Sequence, residues 1–152
     1  MKFVIQRVTK ASVEVDKNVV GEINNGFIVL IGITHTDTKT IAEKMVEKLI
    51  KLRIFTDDND KMNLSINDVK GELLLVSQFT LYSNCMHGNR PEFLNAAKPQ
   101  QAEELYNYII KLCKEKSLKV ETGIFRASMK VNLINDGPVT IVLDSEVDIK
   151  NS

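Results

Sequence analysis

One stretch of the 152-residue chain gathers short polar side chains where a plain turn would be expected: Ser77-Gln78-Phe79-Thr80. It closes the apolar run Leu73-Leu74-Leu75-Val76 and presents a hydroxyl, an amide, an aromatic ring and a second hydroxyl in succession. Polar residues that end a buried strand often line a site at its mouth. The competing role is cross-strand hydrogen bonding by Ser and Thr. If the stretch works on an acyl group, two chemistries are open. The Thr80 hydroxyl could act as a nucleophile, which requires an adjacent base, and no histidine or lysine is obviously placed to serve. Alternatively, backbone N–H groups near Phe79 and Thr80 could hold a developing oxyanion. A second stretch, Asn135-Asp136-Gly137-Pro138-Val139-Thr140, separates two apolar runs and reads from composition alone as a turn.

Other constellations lack what their chemistry needs. No G-x-S-x-G elbow, G-x-x-x-x-G-K loop or G-x-G-x-x-G turn is present. The acidic turn Asp57 to Asp60 has neither the central glycine nor the terminal glutamate of a calcium loop. Cys85 and His87 have no second pair at ligand spacing, so no metal or other cofactor is expected. His35 follows an apolar strand as a capping or surface residue. The lysines from Lys111 to Lys119 read as a solvated helix end.

The elements that must position these residues follow from periodicity. Phe3 to Val8, Ala11 to Val15 and Val19 to Ile23 read as strands, with turns at Asp16-Lys17-Asn18 and Asn24-Asn25-Gly26. Phe27 to Ile33 is almost continuously apolar, as a strand buried on both faces is. Thr36-Asp37-Thr38 is an N-cap region for a helix with Ile41, Met45, Leu49 and Leu52 at helical spacing, ending near Arg53. Leu73 to Leu81 reads as one strand, and a polar stretch runs from Ser83 to about Lys98. Pro99 opens a second helix with the stripe Leu105, Ile109, Leu112 and Cys113. Strands return at Val120 to Gly123, Met129 to Asn135 and Val139 to Leu143. The expected fold is α+β: a largely antiparallel, curled, barrel-like sheet with two main helices, in a single domain over residues 1–152.

Composition bounds the partners. Twenty basic residues balance twenty acidic ones. This excludes a protein that coats nucleic acid by bulk charge and leaves room for a local basic site for one RNA end. Two cysteines make no disulfide scaffold, the start has no cleavable leader pattern, and no apolar run spans a membrane. A cytoplasmic, soluble protein without membrane attachment is expected.

Taken together, the two stretches are far more specific than either alone. Ser77-Gln78-Phe79-Thr80-Leu81 followed by Asn135-Asp136-Gly137-Pro138-Val139-Thr140 resembles the D-aminoacyl-tRNA deacylase family. Val4-Ile5-Gln6-Arg7-Val8, the Gly26-to-Gly32 strand, Gly88-Asn89-Arg90-Pro91 and Asp144-Ser145 extend the resemblance over nearly the whole chain. It implies hydrolysis of the ester joining a D-amino acid, or misplaced glycine, to the terminal adenosine of tRNA. It implies a homodimer in which a cis Gly137–Pro138 peptide of one subunit enters the other's pocket as the chirality filter, rejecting L-residues by clash. It favours an RNA-assisted route in which the tRNA 2′-hydroxyl helps activate water. Ser77 and Gln78 would orient substrate. Arg7, otherwise an edge-strand arginine facing solvent, would lock the Gly137–Pro138 loop through its carbonyls, and Met129 would pack beside the pocket. One position departs from the pattern. Phe125-Arg126-Ala127-Ser128-Met129 carries a large cation where the family usually has glycine, either reshaping the pocket or contacting RNA. The alternative to an enzyme is a protein that binds the RNA 3′ end without hydrolysis.

Overall fold

The computed structural model describes residues 1–149; the last three residues of the expected domain lie outside them. The chain runs β1 (Lys2–Val15), β2 (Asn18–Ile23), β3 (Gly26–Gly32), α1 (Lys39–Lys51), β4 (Phe55–Thr56), β5 (Met62–Leu64) and β6 (Glu72–Ser77). A single 3-10 turn (Phe79–Tyr82), α2 (Pro99–Lys114), β7 (Lys119–Thr122), β8 (Lys130–Asp144) and α3 (Ser145–Asp148) complete it.

β1 organises the sheet because it is long enough to serve several partners. Asp16 and Lys17, at φ 49° and 68°, make the left-handed two-residue turn that folds β2 back onto Ala11–Val15. The first half of β1, Lys2 to Val8, pairs antiparallel with β3 instead. β8 runs antiparallel along the opposite edge for almost the whole length. β3, β6 and β7 then continue as parallel neighbours, each connection crossing over through a helix. The sheet is therefore mixed, with its antiparallel pairs gathered on β1. It also nearly closes on itself. A Cβ on Gly21 of β2 would lie 2.5 Å from the Thr122 carbonyl oxygen of β7, so glycine is what lets the two strands meet there.

Both faces of the curled sheet are buried. Phe3, Ile5, Phe27, Val29 and Ile31 pack against Met45 and Leu49 of α1 and Leu105 and Ile109 of α2. Val8, Val13, Ile28, Leu74 and Val76 fill the other side. Each such side chain contributes roughly 1.5–3 kcal/mol by leaving water. Thr38 caps α1 by accepting from the Ile41 N–H, while neighbouring Asp37 turns inward and accepts from the Met1 amino group at 2.8 Å.

Three sequence expectations change. The two opening strands are one, because β1 passes through a bulge near Thr9 rather than a turn: Val8 pairs with Asn135 and Lys10 with Ile134. Met129 to Asn135 and Val139 to Leu143 likewise join as β8, with Asp136–Val139 looping out opposite the single residue Arg7. The strand expected to reach Leu81 stops at Ser77, and the chain tightens into the 3-10 turn. The residues from 55 to 64 form a small hairpin about the acidic turn, whose strands are too short to show a period.

Candidate functional site

A cleft of about 790 Å³ opens at the carboxyl ends of the parallel strands β3 and β6, the end at which such sheets ordinarily take ligands. Its floor is Val76, Ser77 and Gln78. One wall is the start of α2 at Lys98, Pro99 and Ala102, and the other is Phe125 to Ala127 with Met129. The floor is fixed by main-chain bonds: Gln78 N–H donates to the Ile31 carbonyl at 2.8 Å, and Gly123 N–H to the Leu75 carbonyl at 3.2 Å. Tyr106 of α2 donates its hydroxyl to the same Leu75 carbonyl at 2.7 Å. That tie holds helix and floor together, and burial pushes the phenol pKa well up.

Ser77 and Gln78 are half-buried at the strand end, and Phe79 stands 56% exposed with its ring edge-on to Phe93 at 5.1 Å. Thr80 is partly buried and is not among the lining residues of the cleft; it accepts a hydrogen bond from the Gln78 side-chain amide. No histidine, lysine or carboxylate bonds to its hydroxyl among the described residues. The Phe79 and Thr80 N–H groups begin the 3-10 turn, where a helical turn leaves its first donors without internal acceptors.

The long polar segment after the turn is stitched over the cleft by the strand end beneath it. Ala97 N–H donates to the Ile33 carbonyl at 2.9 Å, Thr34 pairs with Ala96, and the His35 ring Nε2 donates to the Leu94 carbonyl at 2.7 Å. His35 is exposed, as a sequence reading of it as a surface residue expects, and it also lines the cleft, which that reading did not give. The only sequence signal was its place directly after a buried strand. Met129 lines the cleft and packs onto the inner core.

Arg7 does not face solvent. It is 8% exposed; Nε donates to the Asp136 carbonyl at 2.9 Å, and Nη1 to the Ile54 carbonyl at 2.7 Å. Across the base of the same loop, Asn135 Oδ1 accepts from Val139 N–H at 2.7 Å while its Nδ2 donates to the Val139 carbonyl at 3.2 Å. The side chain thus replaces the backbone pairing that the loop interrupts. Gly137–Pro138 is cis, with Gly137 at φ 144°. Both residues are exposed, and neither lines the cleft of its own chain. The structure thus brings Ser77, Gln78, Phe79 and Met129 together at the cleft, with Thr80 outside its lining, and holds Arg7, Gly137 and Pro138 apart as a second, hydrogen-bonded assembly.

The described residues hold no group of three or more His, Cys, Asp or Glu side chains arranged to bind a metal. They also hold no helix long and apolar enough to cross a membrane.

The family model described as D-Tyr-tRNA(Tyr) deacylase matches residues 4–144. The chain belongs to the D-aminoacyl-tRNA deacylase family. The D-aminoacyl-tRNA deacylase of Clostridium botulinum (strain Eklund 17B / Type B) is 56% identical over 145 residues, covering 95% of this chain and 97% of that protein. The deacylase of Clostridioides difficile (strain 630) is 54% identical over 145 residues, with the same coverage. Among solved structures, a "c-Myc DNA Unwinding Element Binding Protein" superposes with a TM-score of 0.89 at 42% identity, covering 95% of this chain and 98% of that one. One titled as a probable eukaryotic D-amino acid tRNA deacylase superposes at 0.79 with 17% identity, covering 93% and 97%, a likeness of fold. The curled α+β barrel is thus the deacylase fold.

Proposed function

We propose that the cleft at the end of β6 hydrolyses the ester between a D-amino acid, or misplaced glycine, and the 3′-terminal adenosine of tRNA. In this reading the amino acid sits over Ser77 and Gln78. The Phe79 and Thr80 N–H groups stabilise the oxyanion formed when water adds to the ester carbonyl. The carbon–oxygen ester bond then breaks and the proton passes to the leaving 3′-oxygen. The adjacent 2′-hydroxyl of the RNA helps orient and activate the water, which makes a protein base unnecessary. The Thr80 hydroxyl serves as a hydrogen-bond acceptor for Gln78 and forms no bond to the acyl group.

The observation that carries the reading is the composition of the cleft. Its lining is mostly apolar, with Phe79, Phe93, Leu94, Phe125 and Met129 around the polar pair Ser77 and Gln78, and it carries two cations and no carboxylate, in a chain of this family. That suits a phosphate-bearing RNA end and leaves nothing shaped for one particular side chain.

Selection of the D-enantiomer is assigned to Gly137 and Pro138 acting on the partner's cleft in a homodimer. Support comes from the exposed position of the loop, its rigid hold by Arg7 and Asn135, and its absence from its own chain's cleft. Backbone groups can read the α-carbon whatever side chain it bears, and glycine passes because it has none to clash.

The test is deacylation of matched D-, L- and glycyl-tRNA. Hydrolysis of the D and glycyl esters with the L ester left intact is expected, surviving chelator. Equal rates on D and L esters would remove the filter. Binding of the RNA end with no release of amino acid would make the protein a 3′-end binder.

A further inference from the structure

We propose that Arg126, assisted by Lys98, is a phosphate-binding residue at the rim of the cleft and takes a phosphodiester of the RNA strand whose 3′ end enters it. The inference rests on the proposed substrate and adds a contact specific to this chain.

Ile124 to Ala127 form a four-residue turn closed by a 3.1 Å bond from the Ala127 N–H to the Ile124 carbonyl. Arg126 is its third residue, at φ 66°. A positive φ at that position is ordinarily met by glycine, or by asparagine, and L side chains adopt it sparingly. Backbone outliers of this kind cluster at ligand sites. Among the six non-glycine residues with positive φ in the described part of the chain, Arg126 is the one that lines the cleft.

Charge and partnering point the same way. The chain carries equal numbers of acidic and basic residues, yet the cleft lining holds Arg126 and Lys98 and no Asp or Glu. Both are exposed, and neither has an ion-pair partner among the described residues. A guanidinium on a hydrogen-bonded turn offers a planar fork that matches phosphate oxygens. Lys98, on the facing wall at the start of α2, adds a point charge. An amino acid in the cleft leaves the nucleotide chain to pass out over its rim, where these two side chains stand.

Arg126→Gly tests the contact without endangering the fold, because glycine suits the turn. The probe is a fluorescent single-stranded RNA hexamer with a 3′-terminal adenosine, compared with the same hexamer carrying neutral methylphosphonate linkages near that end. Arg126→Gly should weaken binding of the native hexamer about tenfold, in line with one charge-assisted hydrogen bond, and leave binding of the neutral one unchanged. The slope of log affinity against log salt should fall by about 0.7, the single-strand value for one phosphate contact. Arg126→Lys should restore part of the loss. In deacylation of D-aminoacyl-tRNA the same variant should raise KM with kcat nearly unchanged, and D-aminoacyl-adenosine, which has no phosphate, should be cleaved as by the parent. Equal affinities of parent and Arg126→Gly, or equal losses on native and neutral RNA, would overturn the proposal. A parent protein that hydrolyses no D-aminoacyl-tRNA would instead overturn the deacylase reading, and the hexamer comparison would still decide Arg126.

Discussion

The β1–β8 seam and the rim of the cleft each present an arginine, and the two surroundings are opposite. On the seam, Arg7 is buried, its Nε and Nη1 tying the Asp136 carbonyl of the outlooped segment to the Ile54 carbonyl after α1. On the rim, Arg126 stands exposed on a turn, with no ion-pair partner among the described residues. A guanidinium whose donors are used inside the fold stabilises a shape; one whose donors face an open cleft is available to a ligand. The exposed pieces follow the same division. Gly137 and Pro138 are presented by a clamped loop, whereas Phe79, Leu94 and Arg126 belong to turns and a long segment around an opening.

The largest expected effect is on the seam. Arg7→Met should cost about 3 kcal/mol in chemical denaturation, because the buried carbonyl of Ile54 and the partly buried carbonyl of Asp136 lose their charged donor. It should also sharply reduce deacylation, since the loop loses its tether. Arg126→Gly should leave the denaturation midpoint level or slightly higher. Similar stability losses in the two variants would erase the contrast between engaged and available arginines.

Next comes the loop itself. A Cβ on Gly137 would lie 2.7 Å from Val139 Cγ2 and 2.9 Å from the Val139 nitrogen, at a φ of 144° that L-residues rarely adopt. Gly137→Ala should therefore cost about 1–3 kcal/mol and narrow the rate ratio between D and L esters, measured on matched charged tRNAs. An unchanged ratio would detach the seam from chiral selection.

Thr80→Ala is a smaller test, placed at the cleft. It removes the acceptor of the Gln78 amide, a loss of about 1 kcal/mol. Deacylation should fall by about fivefold and persist, and mass spectrometry of the parent under turnover should find no acyl ester on Thr80. Complete loss of activity together with a trapped ester would restore the nucleophile.

How far these regions could be read from sequence depended on whether the signal was local. The helix from Thr38 onward, the doubly buried β3 and the apolar run Leu73 to Val76 are patterns within a dozen residues, and they reappear in the fold. The continuity of β8 is not local. Asp136-Gly137-Pro138 looks like a break, and only pairing with β1 on both sides, together with the Asn135 bridge, makes it a loop within one strand. Arg7 is similar: its isolation among apolar residues signalled something unusual, but its acceptors lie 47 and 129 positions away. The quartet Ser77 to Thr80 was legible as a polar cluster at a strand end, and three of its members line the cleft, though not the sharp turn within it that leaves Thr80 out of that lining. His35 carried no sign that its ring would hold the cleft wall, because Leu94 reaches it only through the fold.

The two cysteines repeat the contrast between open and closed surroundings without disturbing either. Cys85 is exposed in the segment beyond the 3-10 turn, and Cys113 is fully buried on the inner face of α2. Burial pushes the Cys113 thiol from 9.0 up to about 12, and the positive charge of Lys116 offsets only part of this. Since the thiolate is the reactive form, a disulfide reagent at pH 8 should modify one thiol per native chain, with the second appearing only on denaturation. Raising the pH to 10 should leave Cys113 protected, because the folded protein keeps its proton. The unfolded chain loses that proton near the ordinary value, so this thiol's contribution to stability is complete below about pH 9 and declines as the pH rises toward 12. Rapid modification of both thiols in the native protein would mean that α2 opens readily, and would remove the rigid wall on which the contrast between seam and cleft depends.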